Sequence, residues 1–179
     1  TARRRIEDAF QQIQSELETA LADIDRNNLI NEMAHFLQAA NSREELYKIV
    51  VRFGPRMFPQ DSGALCIIDA SKNVIEAAVA WGDTSAFEPV FSSEDCWALR
   101  EGRMHIVADR SAGMVCAHIT APTGAHACIP MMAQSEMLGI LHVTNCGSQA
   151  TREAFPAGEI RLMQRVAEQI GLSLANLRM

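Results

Sequence analysis

Two stretches of this chain repeat apolar residues every three or four positions, one near each end. The first runs Ile6, Phe10, Ile13, Leu17, Ala20 and Ile24. The second runs Ile160, Met163, Ala167, Ile170, Leu174 and Leu177. Alternating steps of four and three average about 3.5 residues, the seam of a helix that lies along a partner helix. Both ends read as cut rather than capped. The first residue is Thr1 rather than Met, and Leu177-Arg178-Met179 carries no Gly or Pro stop. The expectation is a mixed α/β domain held between two rods that continue into other modules. Such an arrangement suits a relay better than a free-standing enzyme.

The chain has 179 residues, of which 48% are apolar, enough to bury a core without staples. No apolar run approaches the roughly 18–20 residues that span a bilayer, and the basic Arg3-Arg4-Arg5 is not followed by the apolar run of a signal peptide. A membrane span upstream of Thr1 stays open, so a cytoplasmic location is expected, including as part of a membrane-anchored receptor. The net charge of −6 argues against a nucleic-acid or anionic-lipid partner. Five cysteines without paired spacing read as reduced thiols.

Residues 4–26 are polar outside the seam and need a second copy or a neighbour, since nothing in them builds a core. Asn27 and Asn28 interrupt the stripe. A wider stripe, Leu29, Ile30, Met33, Phe36, Leu37 and Ala40, then fits a helix lying on a sheet. Ser42-Arg43-Glu44-Glu45 is a capping box. It opens a helix that points Leu46, Ile49, Val50, Phe53 and Met57 inward and closes or kinks at Gly54-Pro55 and Pro59.

From Gly63 the period becomes that of strands. Residues 64–68 and 74–81 read as a hairpin around Asp69-Ala70-Ser71-Lys72-Asn73. Ser92-Ser93-Glu94-Asp95 is a helix start, with a short helix from Cys96 to Glu101 ended by Gly102. Strands are expected at 104–108, 127–132 and 138–143, with a long loop at 109–126. The sum is α+β: a central antiparallel sheet, helices on one face and a loop-lined pocket on the other.

Three blocks carry a resemblance to a known family. They are Glu94-Asp95-Cys96-Trp97-Ala98-Leu99-Arg100-Glu101-Gly102-Arg103-Met104-His105, then Val115-Cys116-Ala117-His118, then residues 128–143 from Cys128 to Val143. The pattern over residues 29–175 resembles a GAF domain, a small-molecule sensing module of bacterial signalling proteins. The first two blocks are similar to a subgroup found upstream of diguanylate cyclase or histidine kinase output domains. The resemblance implies a sheet of five to six strands, terminal helices that pair two copies, and a ligand enclosed on the other face. The domain layout follows: residues 1–28 a coiled-coil signalling helix, residues 29–175 the GAF domain, and a last helix, 157–179, continuing toward an output domain absent from the sequence. The implied partners are a parallel homodimer, that covalently linked output domain, and a small molecule whose identity is unknown. Nucleic acid and direct membrane contact are not expected.

By position, Cys96, Trp97, Arg103, His105, Cys116, His118 and Cys128 are the candidate pocket residues. Ile6, Phe10, Ile13, Leu17, Ile24, Ile160, Met163, Ala167, Ile170, Leu174 and Leu177 are the candidate dimer interface. Cys96, His105, Cys116 and His118 contain the donor types of a tetrahedral zinc set. Their spacing is loose, however, and Cys116-x-His118 is not a usual chelating pair. The simpler reading takes Cys96 and Cys116 as small buried apolar residues, and no residue is assigned as a metal ligand.

Bilin-binding GAF domains set a Cys and a His together in the pocket, but here Ala117 separates Cys116 from His118. Haem ligation through His118 or His105 is a further alternative, and the cofactor is left unknown. One GAF branch reduces free methionine sulfoxide through pocket cysteines, near Cys96 and Cys116. That branch uses acidic residues in its last strand, where this chain has Gly139-Ile140-Leu141-His142-Val143, so no catalytic residue is assigned. Trp97 has the shape to stack on a flat ligand or to anchor its helix. Arg100 and Arg103 suit an anion or a surface ion pair, and His142 reads as a satisfied sheet residue.

Overall fold

The first apolar stripe folds as one uninterrupted helix, α1 (Ala2–Ala39), which the Thr1 side chain caps by accepting from the Arg4 amide. The computed structural model describes residues 1–71, 73–108, 110–111, 113–120, 124–145 and 155–178. Asn27 and Asn28 change the phase of the stripe without breaking the helix. Before them Ile6, Phe10, Ile13, Leu17 and Ile24 are all exposed, and after them Ile30, Met33 and Leu37 are buried. One rod is therefore bare over its first two thirds and docked over its last.

The helix α2 (Arg43–Met57) starts where Ser42 accepts from the Glu45 amide at 3.2 Å. The reciprocal bond shifts back by one residue, because the Glu45 carboxylate accepts from the Asn41 amide at 2.8 Å. The helix does not close at Gly54-Pro55 but runs to Met57 with Pro55 in its last turn. Leu46, Val50, Phe53 and Met57 are buried as their spacing requires.

Six strands form one sheet: β1 (Ser62–Ile68), β2 (Val74–Trp81), β3 (Val90–Ser92), β4 (His105–Val107), β5 (His126–Ala133) and β6 (Glu136–Thr144). Their order is β3-β2-β1-β6-β5-β4 with every neighbour antiparallel. The sheet is the α+β architecture expected from the sequence. The edge strand β3 is the addition, three residues long and directly before the predicted helix start. At Gly139 of β6 a Cβ would lie 2.0 Å from the Cys66 carbonyl oxygen, so only glycine lets β6 approach β1 there.

Strand alternation splits the interior into two cores. Leu65, Ala127, Ile129, Met131, Leu141 and Val143 face the helices and join Ile30, Met33, Phe53 and Met163. On the other face Ala64, Cys66, Cys128 and Ile140 join Phe87, Phe91, Cys96, Cys116 and Ile119.

The last helix, α4 (Ala157–Asn176), corrects the expectation of a second free seam. Met163, Ala167, Ile170 and Leu174 are buried against this chain's own sheet and α1, and Ile160 and Leu177 pack at the margin of the same core. A spacing near 3.5 residues serves a sheet underneath as well as it serves a partner helix. No helix among the described residues is long and apolar enough to cross a membrane.

Candidate functional site

The face of the sheet opposite the helices carries a row of chemistry. Across the strands His105 of β4 pairs with Cys128 of β5, and Cys128 pairs with His142 of β6. His126 sits two residues before Cys128 and so shares its face. Two chain segments cover this row. Ser92 and Asp95 form a capping box around a single 3-10 turn, Ser93–Asp95. Cys96 follows as the N-cap of α3 (Trp97–Glu101), which ends on Gly102 in the left-handed conformation. The second segment runs over residues 113–120. The Ala117 amide donates to the Asp95 carbonyl at 3.0 Å, and the Glu88 amide donates to the His118 carbonyl at 2.7 Å.

Within that second segment the Ile119 amide donates to the Cys116 carbonyl at 3.1 Å, closing a tight turn. The turn overrides the spacing argument against Cys116-x-His118: both side chains reach the same point under the cover. There Cys96, Cys116, His118 and Cys128 bring one donor atom each to within 4.8 Å of all the others. All four are at most 1% exposed. The His118 Nε2 lies 3.5 Å from the Cys128 sulfur, and the Trp97 amide donates to the Cys116 sulfur at 3.4 Å. The His142 Nδ1 lies 3.6 Å from the Cys128 sulfur on its other side. Cys66, Cys96, Cys116 and Cys128 are all free thiols, and Cys146 lies outside the described residues.

The electrostatics of the three clustered thiols are unequal. Hydrogen bonds from the Cys128 and Cys96 thiols, then from His118 and the Trp97 amide, hold the Cys116 thiol far below its ordinary value. Donating to Cys116 pushes Cys96 up to about 12, and donation and burial drive Cys128 well above the ordinary range. Burial lowers His126 to about 4 and His142 well below the ordinary imidazole value. Neither ring nitrogen of His126 has a hydrogen-bond partner among the described residues.

The other expected site residues fall outside this cluster. His105 is half-buried, and its Nε2 lies 2.6 Å from the Met114 carbonyl oxygen. Trp97 lies at the border, with the Arg100 guanidinium 4.3 Å above its ring and the His105 ring 6.4 Å away. Arg103 pairs with Glu101 at 3.0 Å and lines a shallow cleft with Met104, Ile129 and Gln164, away from the thiols. Part of the loop expected to line the pocket, residues 121–123, lies outside the described residues. Among the described residues the cluster is a packed second core rather than the wall of an open cavity. Sequence reasoning passed over His126 and took His142 for a plain sheet residue. The pattern His126-x-Cys128 on a strand was the signal for a shared face.

The GAF domain family profile matches residues 42–174. No curated protein matches the chain. Among solved structures, the GAF domain of a phosphoenolpyruvate-protein phosphotransferase from Coxiella burnetii superposes with a TM-score of 0.69 at 16% identity, covering 87% of this chain and 96% of that one. The free methionine-R-sulfoxide reductase from Neisseria meningitidis, in complex with its substrate, gives 0.73 at 10% identity, covering 86% and 90%. A methyl-accepting chemotaxis protein segment gives 0.67 at 13% identity, covering 82% and 96%. At these identities the likeness is one of fold. With the profile spanning most of its length and the antiparallel sheet in place, the chain belongs to the GAF domain family.

Proposed function

We propose that this GAF domain is a non-catalytic regulatory module that pairs with a second copy of itself through α1 and transmits conformational state along that pair. One observation carries the reading. Five apolar residues at coiled-coil spacing, Ile6, Phe10, Ile13, Leu17 and Ile24, lie on one face of α1 and are each between 54% and 69% exposed. An isolated stripe of this kind covers itself by pairing with an identical stripe.

The same helix is tied to the domain at its other end. Arg26 reaches the buried Glu159 at 3.8 Å, and Arg165 donates to Asn27. Ile30, Met33 and Leu37 pack in the core with Met163 and Ile170 of α4. A change in the sheet or in α4 therefore moves the root of the coil. A ligand or an upstream signal biases the pair only through its difference in affinity for two packings. An output module joined covalently to the domain would read that difference.

The burial of Cys96, Cys116 and Cys128 favours a regulatory role over reductase or chromophore chemistry, because neither a sulfoxide nor a tetrapyrrole reaches thiols this enclosed. The test is oxidative cross-linking of Ile13→Cys in a Cys146→Ala background. A parallel pair places the two introduced thiols side by side and gives a rapid two-chain product. Absence of that product at concentrations where labelling of the thiol is complete would contradict the pairing.

A further inference from the structure

We propose that Cys96, Cys116, His118 and Cys128 form a tetrahedral zinc site that fastens the α3 segment and the 113–120 segment to β5.

The geometry is that of a closed structural site. Four donors come from three separate parts of the chain: the N-cap of α3, the turn at 116–119, and the first half of β5. Their donor atoms already lie within 4.8 Å of one another. With zinc–sulfur bonds of about 2.3 Å and a zinc–nitrogen bond of about 2.0 Å, the edges of such a tetrahedron are roughly 3.5–3.8 Å. Shortening the longest separations by about 1 Å completes it.

The donor chemistry selects the ion. Three thiolates and one imidazole make a soft set suited to zinc and ill suited to magnesium or calcium. Three negative charges against a divalent cation leave a net charge of about −1 at the site. One N–H group already stands where that residual charge would be, and a ring nitrogen lies beside it. The Trp97 amide donates to the Cys116 sulfur at 3.4 Å, and the His142 Nδ1 lies 3.6 Å from the Cys128 sulfur. Phe91 fixes the plane of the fourth ligand, stacking on the His118 ring at 4.1 Å with an 8° tilt. A ligand set supported by outer hydrogen bonds and a packed ring is what holds metal in place.

Simpler uses of the thiols account for less. A disulfide joins two sulfurs and leaves the third thiol and His118 unexplained. An apolar core needs neither three sulfurs at one point nor imidazoles on both sides of them. A second group, His126, Cys128 and His142, shares Cys128 with the first. It supplies one sulfur and two nitrogens, so the two assignments differ in a measurable way.

The experiment begins with the whole chain purified without chelator. Elemental analysis is expected to give about one zinc per chain. X-ray absorption at the zinc edge should then show three sulfurs and one nitrogen. Cobalt exchanged into the site should give intense thiolate charge-transfer and tetrahedral ligand-field bands. His118→Ala and Cys96→Ser should lower zinc to below about a tenth of the wild-type content, while Cys66→Ala, beside the cluster but outside the ligand set, keeps it. If the ligand variants fail to fold, the cobalt spectrum and the absorption edge of the wild-type chain still decide. Three results would overturn the site. One is a folded wild-type chain that neither retains zinc nor takes up cobalt. Another is a shell of one sulfur and two nitrogens, and the third is recovery of the freshly purified protein with a disulfide among these three cysteines.

Discussion

The ring of Phe91 lies flat against the imidazole of His118, with centroids 4.1 Å apart and planes within 8°. Phe91 belongs to the three-residue edge strand β3, and His118 to the segment that covers the sheet face. A short strand at the far edge of the sheet thus positions a residue at the centre of the buried cluster. Phe91→Ala should cost about 3 kcal/mol of stability, as a large aromatic lost from a packed site, and Phe91→Leu well under half of that. Urea denaturation followed by circular dichroism measures both. Equal costs would mean that refilling the volume restores nothing, and would assign the whole contribution to the ring's stacking on His118.

Gly139 tests how closely the central strands approach. A methyl group there meets the Cys66 carbonyl oxygen, so β1 and β6 must separate locally and lose ladder hydrogen bonds. Gly139→Ala is expected to destabilise the fold by about 2 kcal/mol or more. A midpoint in urea equal to that of the parent chain would show that the sheet gives way without cost.

Asp83 caps the 3-10 turn Thr84–Ala86, and its carboxylate accepts from the Ser85 hydroxyl at 2.6 Å and the Ser85 amide at 3.0 Å. Those bonds, the hydroxyl's first, hold its pKa below the ordinary carboxylate value. A folded value below the unfolded one means the unfolded chain binds the proton more readily. The cap's contribution is therefore present above the unfolded pKa and lost as pH falls through the folded one. NMR titration should place Asp83 below the ordinary carboxylate midpoint, and Ser85→Ala should move it upward toward that value. A midpoint unmoved by Ser85→Ala would assign the shift to the backbone amide alone.

The sequence carried the elements further than it carried their neighbours. The change of phase at Asn27-Asn28 marked where α1 meets the domain, because exposed and buried faces of one helix differ in pattern even when the helix does not break. Ser42 and Ser92 were legible as caps because capping is a local event. The strand β3 was hidden because its three residues run directly into the Ser92 cap. The burial of Met163, Ala167, Ile170 and Leu174 was misread as a dimer seam, since periodicity states that a face is covered and not by what. The meeting of Cys96, Cys116, His118 and Cys128 depends on a turn at 116–119 and on a cover laid over β5. Neither is encoded by spacing along the chain.

The central claim is that α1 pairs two copies of the domain, and the solution mass tests it most directly. Multi-angle light scattering on the 19.7 kDa chain should give the mass of two chains. Phe10→Glu combined with Leu17→Glu should give the mass of one, with the circular dichroism of the domain unchanged, because both residues lie outside its core. A wild-type chain that remains at the one-chain mass at concentrations of about 100 μM, far above the micromolar range of a stable coiled-coil pair, would contradict the account.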